Sequence, residues 1–147
     1  MRPSRRWTDE TGSASLEFVT IGLLLLVPLV YLVLVVAQVQ AGALAAEAAA
    51  RNAARLFVQQ GDLDRAEAVA ERAVRFALAD YGVDTDRSDV EIECSPVDCL
   101  EPGTLVLVTV RIEVPLPLAP PALPGDFPLA VHLEASAGQR VSSFGAG

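Results

Sequence analysis

Three groups of residues in this chain have types and spacing that could do chemistry. A glycine is followed at short distance by a lone carboxylate, Gly12 and Glu17. Two cysteines, Cys94 and Cys99, are the only ones present. A run of acids, Asp84, Asp86, Asp89, Glu91 and Glu93, lies in the same half of the chain as the single histidine, His132. Each implies a different chemistry. The acidic run could attract calcium, but it lacks the glycine and terminal glutamate of an EF-hand loop and reads as a solvated acidic face. Cys94, Cys99 and His132 supply too few ligands for a structural metal site, and the cysteine spacing is not the C-x-x-C of a redox motif. No hydroxyl or thiol stands beside a base in a recognisable pattern, and no glycine-rich loop could cradle phosphate. No enzymatic activity and no cofactor are therefore expected. The charge balance narrows the partners further. Eleven basic residues, all Arg, face 19 acidic ones for a net charge of -8, so a sequence-independent grip on nucleic acid is disfavoured.

Glu17 is informative because it stands at the head of a long apolar block. From Phe18 to Ala46 there are 29 consecutive residues without Asp, Glu, Lys or Arg. A helix needs roughly 20 apolar residues to cross a hydrocarbon layer about 30 Å thick, so this block, with its span at about 18–40, is long enough to cross. Arg2, Arg5 and Arg6 precede the block and the next cation is Arg51, a bias that places the N-terminus in the cytoplasm and the rest of the chain outside. A carboxylate at the edge of such a span needs a partner or headgroup-level solvation, since an unpaired charge deep in the bilayer costs about 2.5 to 3.5 kcal/mol even on lenient scales.

Gly12, a few small residues, and then Glu17 and Phe18 at the start of an apolar helix resemble the class III signal of type IV prepilins. Glu17 is the fifth residue after a Gly12/Ser13 cut. The likeness extends to TadE-like minor pilins of tight-adherence pilus systems. It is carried by Ala14-Ser15-Leu16-Glu17-Phe18, Pro28 within the span, the Ala-rich stretch Ala45 to Arg55, the Pro-rich segment Ala119 to Gly125 and the small-residue segment Leu133 to Ala137. Pro28 lies farther from the glutamate than is usual in that pattern. The resemblance implies a short basic leader, residues 1–12, removed on the cytoplasmic side by a prepilin peptidase. It also implies other pilin subunits and an inner-membrane assembly platform as partners. Cleavage would create an α-amine on Ser13, with a reference pKa near 8 and mostly cationic at neutral pH. In a staggered bundle of helices the amine of one subunit can meet Glu17 of its neighbour, and burial makes that pairing selective for register.

The remaining elements must hold this helix. Good helix formers dominate from Ala37 to Gln60, Glu47 and Arg51 form an i,i+4 pair, and Gly61 is a stop signal, so one helix over about 13–60 is expected. At 1.5 Å per residue it is roughly 70 Å long. Ala45, Ala49 and Ala53, with Ala46, Ala50 and Ala54, could admit another backbone closely or could be plain helix filler. A second helix starts near Asp62, where Asp64 and Glu67 have capping-box spacing. It presents Leu63, Ala66, Ala70, Ala73, Val74, Ala77 and Tyr81 on one face and ends at Gly82. The short connection predicts an antiparallel helical pair.

Beyond Gly82 the period changes to 2 in three places: Asp89 to Cys94, Val106 to Val114, and Leu129 to Ala135. The first two form a hairpin, and prolines 115, 117, 120, 121, 124 and 128 carry the chain to the third through an extended loop. The fold class is thus α+β: a long N-terminal transmembrane helix continuing into an external domain over 61–147 with a second helix and a small antiparallel sheet. In that exterior setting Cys94 and Cys99 are expected to form a disulfide across the hairpin loop. Two readings compete with the pilin-like one. A single-pass anchor could carry an external binding domain, or a secretory signal could be cut after Ala43 or Ala45 to release a soluble domain.

Overall fold

The computed structural model describes residues 11–96, 98–117 and 130–143, with side chains from Ser15 onward. It is α+β, as the periodicities require. The order is α1 (Thr11–Phe57), α2 (Leu63–Asp80), a single 3-10 turn (Thr85–Arg87), β1 (Ser88–Ser95), β2 (Leu105–Pro115) and β3 (Ala130–Arg140). The leader residues 1–10 and most of the Pro-rich connection, 118–129, lie outside the described residues, as does Leu129, the expected start of the third strand.

The chain divides into two units at residues 36 and 37, and α1 contributes to both. In the first unit the helix is one apolar surface all round. Residues 15–34 are exposed without exception, Leu24 at 71 % and Phe18 at 80 %. A helix apolar on every side has no soluble face to present, and it is long and apolar enough to cross a membrane. The Thr20 hydroxyl donates to the Leu16 carbonyl at 2.7 Å, so that polar side chain is satisfied within the helix itself. The helix continues through Pro28.

The second unit is a two-layer sandwich. The sheet has order β1-β2-β3, antiparallel throughout, with Cys94 opposite Val106 and Val110 opposite both Val90 and Ala135. One face carries Val90, Ile92, Val106, Val108, Val110, Ile112, Val114 and Leu133 onto the helices, and the other is open. The helical layer contributes Ala45, Ala46, Ala49, Ala50, Ala53, Ala54 and Phe57 from α1, and Ala66, Ala70, Val74, Ala77 and Leu78 from α2. The alanine stripe is therefore filled by the chain's own domain, because one-carbon side chains let helices and sheet approach closely enough to exclude water. Gly42 marks the tightest point: a Cβ placed there would lie 2.6 Å from Val114 Cγ2. The residues that follow α2, Tyr81 to Val83, line a common cleft with Gln38, Ala41 and Gly42, so α2 runs back along the outer part of α1.

Several local details differ from the sequence expectation. The cap of α2 is Asp62, whose carboxylate accepts from the Arg65 amide at 3.0 Å. Asp64 lies inside the first turn, so the Asp64/Glu67 spacing is not a capping box. Leu63 and Tyr81, expected on the buried face, are half exposed because they stand at the two ends of α2, and Leu78 fills the buried face instead. Gly82 does end the helix. It has φ +69°, its amide donates to Ala79, and the Val83 amide donates to Leu78, the paired bonds of a Schellman motif. Helix α1 ends at Phe57, before Gly61; the Gln60 side chain donates to the Leu56 carbonyl and satisfies one of the orphan acceptors there. Strand β3 runs on to Arg140, five residues past Ala135.

Candidate functional site

Two surfaces remain after the core is assigned: the bare apolar length of α1 and the open face of the sheet. On α1 the backbone of Gly12 and Ser13 is already helical, within the first turn. Glu17 and Phe18 stand further along the same helix, both exposed, and Glu17 makes no ion pair with any described residue. It is the one charged side chain on α1 between Ser15 and Ala46. The arrangement can offer a single anion on an otherwise apolar cylinder, and that anion becomes selective for a cation as water is removed around it.

The open sheet face is charged. Antiparallel pairing puts Asp89, Arg111 and Glu134 in one row across all three strands, with Glu91, Thr109 and Ser136 in the next. Arg111 binds three carboxylates from both neighbouring strands: Glu134 and Glu91 at 2.8 Å each, and Asp89 at 3.3 Å. The hydrogen bonds that its guanidinium donates to Glu134 first and to Glu91 second raise its pKa further above the ordinary arginine value, so the charge on this group is held by the carboxylates around it. His132 pairs with Glu113 at 3.0 Å, and Thr109 shares a hydroxyl bond with Ser136 at 2.8 Å. A shallow groove of about 460 Å³ opens beside Arg111 and His132, with Asp86, Asp89, Glu113 and Glu134 along it. Among the described residues, no group of three or more His, Cys, Asp or Glu side chains is placed to hold a metal ion. Asp84 is used locally, accepting from the Asp86 amide at the start of the 3-10 turn.

Cys94 and Cys99 are bonded to each other, closing the loop between β1 and β2. The short ring constrains the unfolded chain by about 2 kcal/mol in the chain-entropy picture. Glu17 belongs to the first unit; within the second, the cysteines close the loop after β1, and the acidic run divides between the 3-10 turn and the open sheet face. The arginine hub is the feature that sequence reading missed. Its only trace in the sequence is the in-register alternation of Asp89, Glu91 and Arg111, and the third ligand, Glu134, is supplied by strand pairing across 23 residues.

Compared with family models, with curated proteins and with solved structures, the chain matches none.

Proposed function

We propose that the chain is a pilin-like, TadE-like assembly subunit. It is made as a precursor, inserted with its basic leader in the cytoplasm, cut after Gly12 by a prepilin peptidase, and packed through α1 against other pilin subunits at an assembly platform in the cytoplasmic membrane. The observation that carries the reading is the lone carboxylate of Glu17, five residues beyond the proposed cut, on a helix whose apolar surface is exposed on every side from Ser15 to Leu34. A cylinder of that kind is covered by lipid before assembly and by neighbouring helices afterwards. A new amine on Ser13 provides the counter-charge that sets their stagger. The secreted-domain reading is less well supported, because cuts after Ala43 or Ala45 would fall within the helical turns that pack on Val114 and Leu133.

Coexpression with a prepilin peptidase, followed by mass spectrometry of the mature N-terminus, tests this. Ser13 as first residue is the expected result. Met1 would establish an uncut anchor, and Leu44 or Ala46 a released domain; either would refute the proposal. A Glu17→Gln variant is expected to be inserted and cut normally but to enter filaments poorly. Normal incorporation would remove the register role.

A further inference from the structure

The Ala37–Gly147 unit begins to pack on α1 where the apolar length of that helix has just been used up. Counted from Phe18, the roughly 20 residues that cross a hydrocarbon layer end near Ala37, and a headgroup layer of about 5 to 7 Å takes up about four more residues of helix. Gln38, Ala41 and Gly42 stand on that stretch, and they share a cleft with Tyr81, Val83, Val114 and Pro115. One end of the unit therefore lies at headgroup level, with no free stalk before it.

That end is apolar. Tyr81, 47 % exposed, is an amphipathic ring of the kind that collects at membrane interfaces. Pro115 is exposed and stands opposite Ala130, so the β2–β3 connection both leaves and re-enters the sheet here. Its described residues, Leu116 and Pro117, are half-buried, and the sequence of residues 116–129 holds four leucines, Phe127 and five prolines with Asp126 as its single charge. Each proline removes a backbone donor that lipid could not satisfy. The acids lining the cleft are paired, Asp84 with Arg87 at 3.7 Å and Glu113 with His132 at 3.0 Å. The connection at the other end of β2, residues 96–104, is of another kind: it carries Asp98 and Glu101 and is closed by the Cys94–Cys99 disulfide.

We infer that this end of the unit seats on the outer surface of the bilayer, with Tyr81 and Pro115 to Pro117 at headgroup level and the apolar β2–β3 connection against the lipid. The chain is then held to the membrane at two points, the span and the seat, and the domain cannot swing freely about α1. Tethering by the span raises the effective concentration of the seat, so a contact too weak to bind vesicles alone suffices. Its strength comes from buried apolar area and not from charge, since the acids of this end outnumber its cations. The inference rests on the membrane-spanning reading of α1 and not on cleavage after Gly12.

The test uses the full chain in phosphatidylcholine vesicles whose lipids carry bromine on their acyl chains, which quenches tryptophan that reaches them. Trp7→Phe removes the one native tryptophan, and a reporter is then placed singly by Leu26→Trp, Tyr81→Trp, Phe127→Trp or Leu105→Trp. Reporters at 26, 81 and 127 are expected to be quenched and the one at 105 is not, with no change as salt rises from about 0.05 to about 0.5 M. Leu123→Asp with Phe127→Asp should reduce quenching at 81 about twofold or more. If 26 is quenched while 81 and 127 are not, the bilayer is not what covers this end and the inference alone fails. Equal quenching at 105, or quenching at 81 and 127 that salt abolishes, also overturns it. An unquenched reporter at 26 removes the membrane-spanning reading and this inference with it. Seating of copies that still start at Met1 upholds the inference and sinks the processing reading alone.

Discussion

Gly42 is where α1 comes closest to the sheet, and the effect of adding a methyl group there depends on one neighbour. In an ordinary helix interior, replacing glycine by alanine stabilises by about 1 kcal/mol through backbone entropy. Here the added carbon would lie 2.6 Å from Val114 Cγ2 and 3.1 Å from Leu133 Cδ1. The valine cannot yield easily: it is 4 % exposed, β-branched and fixed by its strand. Overpacking of this kind costs about 1 to 3 kcal/mol, so Gly42→Ala should lower stability by about 1 kcal/mol net. Val114→Ala alone should cost about 1 to 3 kcal/mol for the lost packing. Once that valine is gone, the nearest remaining atom is the end of a leucine, which can rotate aside. Gly42→Ala in the Val114→Ala background should then stabilise by up to about 1 kcal/mol, a coupling of about 2 kcal/mol between the two positions. Pulse proteolysis of the detergent-solubilised full chain across a urea series measures all four proteins. If Gly42→Ala stabilises the wild-type background, or if the two substitutions simply add, the close approach of helix and sheet is not what fixes glycine at this position.

Three further outcomes are expected. Asp62→Ala should cost about 1 kcal/mol by removing the α2 cap, while Asp64→Ala, which leaves that bond intact, should change the same urea midpoint little. Replacing Cys94 and Cys99 by serine should lower stability by about 2 kcal/mol, and reduction of the wild type should produce the same shift; a larger loss from the serines than from reduction would mean that packing, not the crosslink, is responsible. Arg111→Gln leaves Asp89, Glu91 and Glu134 together without their cation, so the thermal midpoint should fall, and fall less at high salt, whereas Arg140→Gln, which loses only a bond to the Gly103 carbonyl, should show a smaller and less salt-dependent change.

The membrane-length block, the second helix and the three strands are legible in the sequence because each has a local period. An uncharged run of 29 residues, the 3.6-residue recurrence of Ala66, Ala70, Val74 and Ala77, and the strict alternation through β1 and β2 need no tertiary information. Where tertiary contacts decide, the sequence is less informative. Asp62 and Asp64 are chemically equal candidates for a cap, and only the turn of the chain after Phe57 selects the first. The last five residues of β3, Ser136 to Arg140, hide their alternation behind alanine, serine and glycine, yet pairing with Leu105 to Thr109 holds them extended. The alanine stripe could have served another subunit, and it is the valines of β2 that cover it. The arginine hub depends on register between strands far apart in the chain, which no local pattern encodes.

Along α1 the tolerance to substitution changes with what surrounds each turn. Ala45, Ala46, Ala49, Ala50, Ala53 and Ala54 are at most 1 % exposed against the chain's own sheet and second helix, so even a single added methyl group must displace a neighbour. Between Ser15 and Leu34 no side chain is enclosed, and Leu, Ile, Val or Phe can replace one another with little effect on the folded chain. A saturation library of this one helix should therefore divide into two regimes: a permissive stretch before residue 37 in which only polarity is policed, and an inward-facing stripe after it in which volume is.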